Sequence, residues 1–232
     1  MGVITSNNES WNGHSFQEVE TFIKNRILYN GHDYVEIGGL KWATMNIGAS
    51  SVTDTGLYFQ WGDKEGYEYC QVGTTTNKKK FTNDDYKFYA GSANSYIKYN
   101  STNTTYKLDP IDDAAIFNWG GIWRMPTTAE FQALGDAVNT VWTSDYNNTG
   151  VEGWVFTDKT DSSKVLFFPA SSYVSSGSRP YSYYHYGYYW SSNCVNGGYA
   201  NSASVLRFDN YSIYWDGTQT KYTGCTIRPV TD

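Results

Sequence analysis

A cysteine framework, long apolar runs and an excess of positive charge are all missing from this sequence, and each gap removes a class of protein. The three cysteines, Cys70, Cys194 and Cys225, are odd in number and share no C-x-x-C spacing. That leaves no disulfide framework or zinc knuckle to organise the fold, and at most a single bridge. No stretch approaches the roughly 20 apolar residues that a membrane span requires, so membrane insertion is not expected. The N-terminus, MGVITSNNES, lacks an apolar leader core, so no secretion signal is visible in it. A net charge of −6 argues against a nucleic-acid or anionic-membrane partner. The one cationic run, Lys78, Lys79 and Lys80, sits among Thr and Asn and reads as a solvated loop. No G-x-G-x-x-G follows a strand and no G-x-x-x-x-G-K occurs, so a phosphate cradle has no support.

What is present is aromatic. Phe, Trp and Tyr make up 18 % of 232 residues while aliphatics are sparse, so the core is expected to be built on rings. That length predicts one large domain, or one domain with an appendage. With 22 glycines and few helix-period runs, the pattern predicts a loop-rich α+β fold of short antiparallel strands, two or three short helices and long loops.

Residues 1–31 read as a polar arm followed by one amphipathic helix. Ser15 and Glu18 have capping-box spacing, Phe16, Val19, Phe22, Ile23 and Ile27 recur at helical spacing, and Asn30-Gly31 ends the run. Leaving that stripe wet is implausible, because burying each such side chain is worth roughly 1.5–3 kcal/mol. It packs on its own domain, on sister chains, or on a tail or fibre protein.

The body, residues 32–232, opens with a hairpin over residues 34–44 turned by Gly38-Gly39. A second aromatic stretch, residues 56–62, lies between glycines. Residues 70–108 are polar and Asn/Thr/Lys-rich, which predicts a long excursion carrying little core. Asp112-Asp113 opens a short helical run to Phe117, broken by Gly120-Gly121. Thr127 and Glu130 form a second capping box, with Phe131, Leu134 and Val138 as the buried stripe. Residues 153–157 and 165–168 make a hairpin across a polar loop. Candidate strands follow at residues 188–192, 204–208, 212–215 and 225–230, with Asp209-Asn210 and Asp216-Gly217 as turns. Leu206 and Phe208 fall on one face of their strand, Arg207 and Asp209 on the other.

Residues 181–222 stand apart. Of these 42 residues ten are Tyr, six Ser and four Asn, and only Arg207, Asp209, Asp216 and Lys221 are charged. A core segment would use Leu, Ile and Val, and a disordered tail would lack aromatics. Tyr, Ser, Asn and Gly together are the palette of antibody paratopes, where flat rings give contact area at low entropy cost. The plainer alternative is a Tyr-rich antiparallel sheet whose exposed face is aromatic.

Several motifs occur in one order: V-E-I-G-G-L-K-W, D-D-A-A-x-x-x-W-G-G-x-W-R-M-P-T-x-x-E-F, F-F-P-A, Y-Y-W-S-S and a closing G-C-T-I-R-P-V. In this order they resemble the C-type-lectin-like domain of the formylglycine-generating-enzyme branch, over roughly residues 32–230. Its members include variable proteins of diversity-generating retroelements and paralogous surface and phage proteins of gut anaerobes. In the retroelement proteins the C-terminal stretch is rewritten by adenine-directed mutagenesis. Randomising the adenines of an Asn codon yields Asn, Tyr, Ser, Asp, His, Thr, Gly and Cys among others and never a stop, and residues 181–216 are rich in that set.

The resemblance implies that residues 190–192 and 227–229 are scaffold strands. It implies that Tyr181, Tyr183, Tyr184, His185, Tyr186, Tyr188, Asn193, Asn196, Tyr199, Asn201, Asn210, Tyr211, Tyr214, Trp215 and Asp216 contribute the ligand-binding surface. Cys225 departs from the family pattern, which commonly has an aromatic residue after the glycine.

Chemistry finds little footing. The enzyme branch works through cysteines that have no match here, and none of the three cysteines has a His close in sequence to form a thiolate. The E-P-N, Q-P-D and W-N-D motifs of calcium-dependent lectins are absent. Asp112-Asp113 at a helix start favours the helix dipole more readily than a cation. His14 and His32 read as surface residues, and Arg124 and Arg228 as partners of buried carbonyls or carboxylates. The expectation is therefore a non-enzymatic protein without cofactor, metal or catalytic residue. It would bind a host or cell-surface receptor, protein or glycan, from a phage tail or, alternatively, as a bacterial surface adhesin. A formylglycine-generating-type enzyme and a purely structural virion decoration are the remaining readings.

Overall fold

The computed structural model describes residues 15, 17–18, 29–75, 78–92, 95–100, 106–178, 185–195 and 201–232. At the N-terminus, Glu18 Oε2 accepts from Ser15 N at 2.6 Å and Ser15 Oγ from Glu18 N at 3.3 Å, the expected reciprocal cap. Phe16, Val19, Phe22, Ile23 and Ile27 lie outside the described residues. Strands Tyr34–Ile37 (β1) and Leu40–Ala43 (β2) pair antiparallel. Gly38 and Gly39 turn them at φ of 63° and 81°, a conformation open to glycine without strain.

Each described α-helix starts where a side chain replaces missing backbone partners. Asp113 Oδ1 accepts from Ala115 N at 2.8 Å and Ile116 N at 3.2 Å at the start of α1 (Ala114–Trp119). Its Oδ2 takes Met125 N at 2.9 Å, tying the next segment to the helix. Thr127 and Glu130 make the expected capping box at α2 (Thr128–Ala137), which buries Phe131 and Leu134. The third member of that stripe, Val138, is buried but not helical: it opens β3 (Val138–Thr143). The V-N-T-V-W-T run is β-branched and aromatic and pairs in full register with β4 (Gly153–Asp158), so strand pairing overrides helical spacing there. β5 (Val165–Pro169) completes this sheet.

The remaining strands are β6 (Gly187–Cys194), β7 (Ser202–Phe208), β8 (Ile213–Thr220) and β9 (Val230–Thr231). Among the described residues three small antiparallel sheets result, ordered β1-β2-β9, β3-β4-β5 and β6-β7-β8, and the architecture is α+β. The strand expected at residues 225–230 is mostly a threaded segment. Its residues pair singly with Phe59, Tyr189 and Arg124, and only its end joins β2.

The β6-β7-β8 sheet is the middle layer. Tyr188, Trp190, Ala203 and Val205 enter one core cluster with Trp61, Tyr99, Trp123 and Cys225. Tyr189, Leu206 and Phe208 enter the other, with Trp42, Phe131, Phe156 and Phe168. Burial on both faces explains why β6 reads as an unbroken run rather than an alternation. Among the large rings of this body, Trp123, Trp190 and Phe168 are enclosed, while Trp154 is only partly covered.

Three expectations need correction. Residues 70–108 carry much of the core: Val72, Phe81, Tyr86, Phe88, Tyr96, Tyr99 and Leu108 are buried. Their rings meet edge to face, Phe88–Tyr99 at 5.3 Å and Trp61–Tyr99 at 5.1 Å. Asp85 replaces regular structure by accepting from Phe81 N at 2.9 Å and Thr82 N at 2.6 Å. Lys79 is not merely solvated, since its ammonium lies 5.2 Å from the Tyr67 ring centre and 3.9 Å from Asp85. His32 is half-buried, stacked on Trp119 with centroids 3.6 Å apart.

Trp123 is enclosed, and its Nε1 donates to Tyr29 O at 2.7 Å. Trp123→Ala is expected to cost about 3–5 kcal/mol in chemical denaturation, as a large-to-small core change. Tyr211→Ala, at a ring 85 % exposed, should stay within about 0.5 kcal/mol. Equal losses in the two variants would contradict this layering.

Lys221 gives a pH-dependent prediction. It is buried at 1 % exposure, donates to Tyr99 O at 2.7 Å and lies 5.2 Å from the Trp61 ring centre. Burial lowers its pKa from 10.5 to about 8, with Cys194 pulling the other way. Between those values the folded chain has lost a proton that the unfolded chain still holds, so rising pH favours the fold. The stability of the native chain relative to Lys221→Met should therefore improve by on the order of 3 kcal/mol from pH 7 to above pH 10. A pH-independent difference would show that the ammonium is not desolvated.

Candidate functional site

The first core-facing side of the central sheet stops being covered between Val205 and Arg207, where the β7–β8 register shifts. Beyond that irregularity Tyr188, Arg207 and Tyr214 stand opposite one another across β6, β7 and β8. The Arg207 guanidinium carbon sits 4.5 Å over the centre of the Tyr214 ring. Gly217 leaves room for the arginine stem, because a Cβ there would lie 2.8 Å from Arg207 Cγ. Tyr188 is held edge-on by Tyr173 at 4.9 Å and by Tyr186 at 6.3 Å. Tyr186, Tyr188, Arg207, Phe208, Asp209 and Tyr214 line a cavity of about 160 Å³. Burial pushes the Tyr188 hydroxyl up to about 12 against the lowering influence of Arg207, so it stays a neutral donor at physiological pH.

The rim is built by the β7–β8 turn. Asp209 Oδ1 accepts from Tyr211 N at 2.7 Å and Ser212 N at 2.8 Å, and its carbonyl accepts from Trp154 Nε1 at 2.8 Å. This fixes the turn while leaving Tyr211 85 % and Tyr214 43 % exposed. On the β6 side, His185 Nδ1 lies 2.5 Å from Glu152 Oε2, with Trp142 edge-on at 6.2 Å. Gly187 is required next to it, since a Cβ would fall 2.1 Å from the Phe208 ring.

Of the expected surface residues, Tyr181, Tyr183, Tyr184, Asn196 and Tyr199 lie outside the described residues. His185, Tyr211, Tyr214 and Asp216 are exposed, and Tyr186, Asn201 and Asn210 are half-buried. Tyr186, Tyr188 and Tyr214 come together at the cavity. Tyr188 is buried as its wall, a correction to a freely displayed ring. Two further residues are occupied in packing. Asn193 Oδ1 accepts from Thr128 N at 2.8 Å at the start of α2, and its Nδ2 donates to Tyr106 O at 3.2 Å. Trp215 lies tilted against Phe156 at 5.5 Å and fills the space over Gly135, where a Cβ would lie 2.6 Å from its ring. Period-two alternation explains Trp215, which shares the Ile213 face packed on the second core cluster.

Arg207 belongs to the cavity and was not among the expected residues. The available signal was its being the one arginine in residues 181–222, opposite the buried face of Leu206 and Phe208.

All three cysteines are free; burial pushes the Cys225 thiol well up, and burial raises that of Cys194. Among the described residues no group of three or more His, Cys, Asp or Glu is placed to hold a metal ion. Asp112 is taken by Lys87 at 2.9 Å, Lys98 at 2.5 Å and the Tyr99 hydroxyl at 2.7 Å, and Asp113 by the α1 cap. No described helix is long and apolar enough to cross a membrane. Comparison with protein-family models, curated proteins and solved structures finds no match to the chain.

Proposed function

We propose that this chain is a non-enzymatic recognition protein, a C-type-lectin-like scaffold that presents a Tyr-rich, diversified surface to a receptor. The observation that carries the reading is the β7–β8 turn beside the aromatic cavity. Asp209 holds the turn rigid while the Tyr211 and Tyr214 rings stand exposed. Large rings have no folding reason to be outside, and rigid aromatic anchors beside a pocket are what binding surfaces use. The lectin-like assignment rests on the order of the sequence motifs, and the small antiparallel sheets with short helices fit it.

The setting we propose is the virion, as a phage receptor-binding tail protein, with a bacterial surface adhesin as the cellular version. The adenine-accessible composition of residues 181–216 supports a retroelement-diversified origin. The partner is a protein or glycan on a cell surface.

The test is binding of the labelled full chain to a panel of intact bacteria, beside Tyr211→Ala/Tyr214→Ala. The chain should bind a subset of strains, and the double variant should lose at least tenfold in affinity with its melting temperature nearly unchanged. Undiminished binding by the double variant would remove this surface from the reading. Neighbouring DNA with a reverse transcriptase and a near-copy of the last codons differing at adenines would establish the diversified origin.

A further inference from the structure

We propose that the cavity between Tyr186, Tyr188 and Tyr214 receives an acidic monosaccharide, with Arg207 as the residue that takes its carboxylate. This rests on the recognition reading above and goes beyond it in naming the chemistry of the ligand.

Arg207 differs from the other two described arginines. Arg124 Nη1 and Nη2 lie 2.8 and 2.7 Å from the two oxygens of Glu130, and Arg228 donates to four oxygens. Arg207 forms no ion pair among the described residues, and its Nε is buried without a hydrogen-bond partner. It is instead laid against the Tyr214 ring at the wall of an open cavity. Its one polar side-chain contact is the Tyr188 hydroxyl, a neutral group, so a guanidinium placed over a ring and lacking an ion-pair partner among the described residues is pre-organised for an anion, because its fork matches a carboxylate.

The rest of the lining restricts which carboxylate fits. Asp209 Oδ1 is committed to the turn, but its Oδ2 accepts no hydrogen bond from the described residues. A fixed negative charge in the same small cavity repels a second acid and accepts from hydroxyl groups. The tyrosine hydroxyls add neutral donors and acceptors, and their rings offer apolar faces. A ligand with one carboxylate, several hydroxyls and a flat apolar face satisfies all of these, whereas an acidic peptide run meets the repulsion of Asp209. A volume of about 160 Å³, against the roughly 10–15 Å³ that one water needs on the same measure, leaves room for a group as large as one sugar ring.

Glucuronic acid and N-acetylneuraminic acid, titrated into the full chain by calorimetry or ligand-observed NMR, test the inference against glucose and the methyl ester of glucuronic acid. At least one acid should bind at least tenfold more tightly than the neutral sugars. Arg207→Gln should lose at least tenfold, and Arg207→Lys should fall between, since a point charge cannot reproduce the fork. Should Arg207→Gln fail to fold, the acid-against-ester comparison on the native chain still decides. Equal binding of acid and ester, no binding of either acid, undiminished binding by a folded Arg207→Gln, or tighter binding of a peptide with an acidic terminus would overturn it. If the acids fail while cell binding still depends on Tyr211 and Tyr214, only the carboxylate assignment falls. If cell binding ignores those tyrosines as well, the recognition reading falls with it.

Discussion

Arg228 is the constraint from which the rest of this structure follows. Its side chain is fully enclosed. Nε donates to Asn46 Oδ1 at 2.8 Å, Nη1 to the carbonyls of Ala43 and Thr44 at 3.1 and 2.9 Å, and Nη2 to Phe167 O at 3.0 Å, with the Phe168 ring 4.4 Å from the guanidinium carbon. Burial pulls its pKa down to about 10, which still leaves it charged at neutral pH. A buried cation is tolerable only when its donors are satisfied, and here the oxygens come from the end of β2, the loop after it and β5. The three segments are therefore held in one place by one side chain. The threaded C-terminal segment around it then pairs with Phe59 through Cys225, with β6 through Thr226, with Ile47 through Ile227 and with Arg124 through Val230.

That segment explains why the central sheet can be buried on both faces and still end in an open site. Thr226 bonds the backbone of both Tyr188 and Trp190, which fixes β6 against the first core cluster. Trp190 Nε1 donates to Phe59 O at 2.7 Å and Tyr189 Oη to Pro169 O at 2.6 Å, so two polar ring groups are satisfied inside. Covering ceases at the Val205–Arg207 irregularity, and the next row, Tyr188, Arg207 and Tyr214, is left at the edge of the core. The cavity is the continuation of a packed face past the point where packing stops, so its inner wall, Tyr188 and Phe208, is part of the buried core.

How much of this was legible depended on whether the signal was local. Gly38-Gly39, the Asp113 cap and the Thr127–Glu130 box are decided within a few residues, and each is where the sequence put it. Alternation of Leu206 and Phe208 against Arg207 was equally local. Residues 70–108 misled because polar composition over a long window hides single aromatic residues, each of which packs on partners distant in the chain. Val138 misled because helical spacing and a β-branched strand start coincide, and pairing with β4, a non-local event, decides between them. Asn193 and Trp215 carry residue types that suit a displayed surface, and only the positions of α2 and Phe156 show that they face inward. Arg207 was visible as an outward charge, but its lack of an anionic partner is a property of the folded neighbourhood alone.

The two roles within residues 181–222 set a limit on how such a surface can vary. Tyr189, Trp190, Leu206 and Phe208 are enclosed, and truncating any of them opens a cavity in the middle layer. Gly187 and Gly217 are fixed by the Phe208 ring and the Arg207 stem. Asp209 is fixed by the turn it closes. What remains free to change, among the described residues, lies on the rim: His185, Tyr211, Tyr214 and Asp216 face solvent and hold no core together. Under the recognition reading proposed above, variation confined to such positions would change the ligand with little effect on stability, because exposed substitutions away from caps and cores change stability little. A rim of tyrosines on a fixed turn also loses little conformational freedom on binding, so a small contact area can still yield useful affinity.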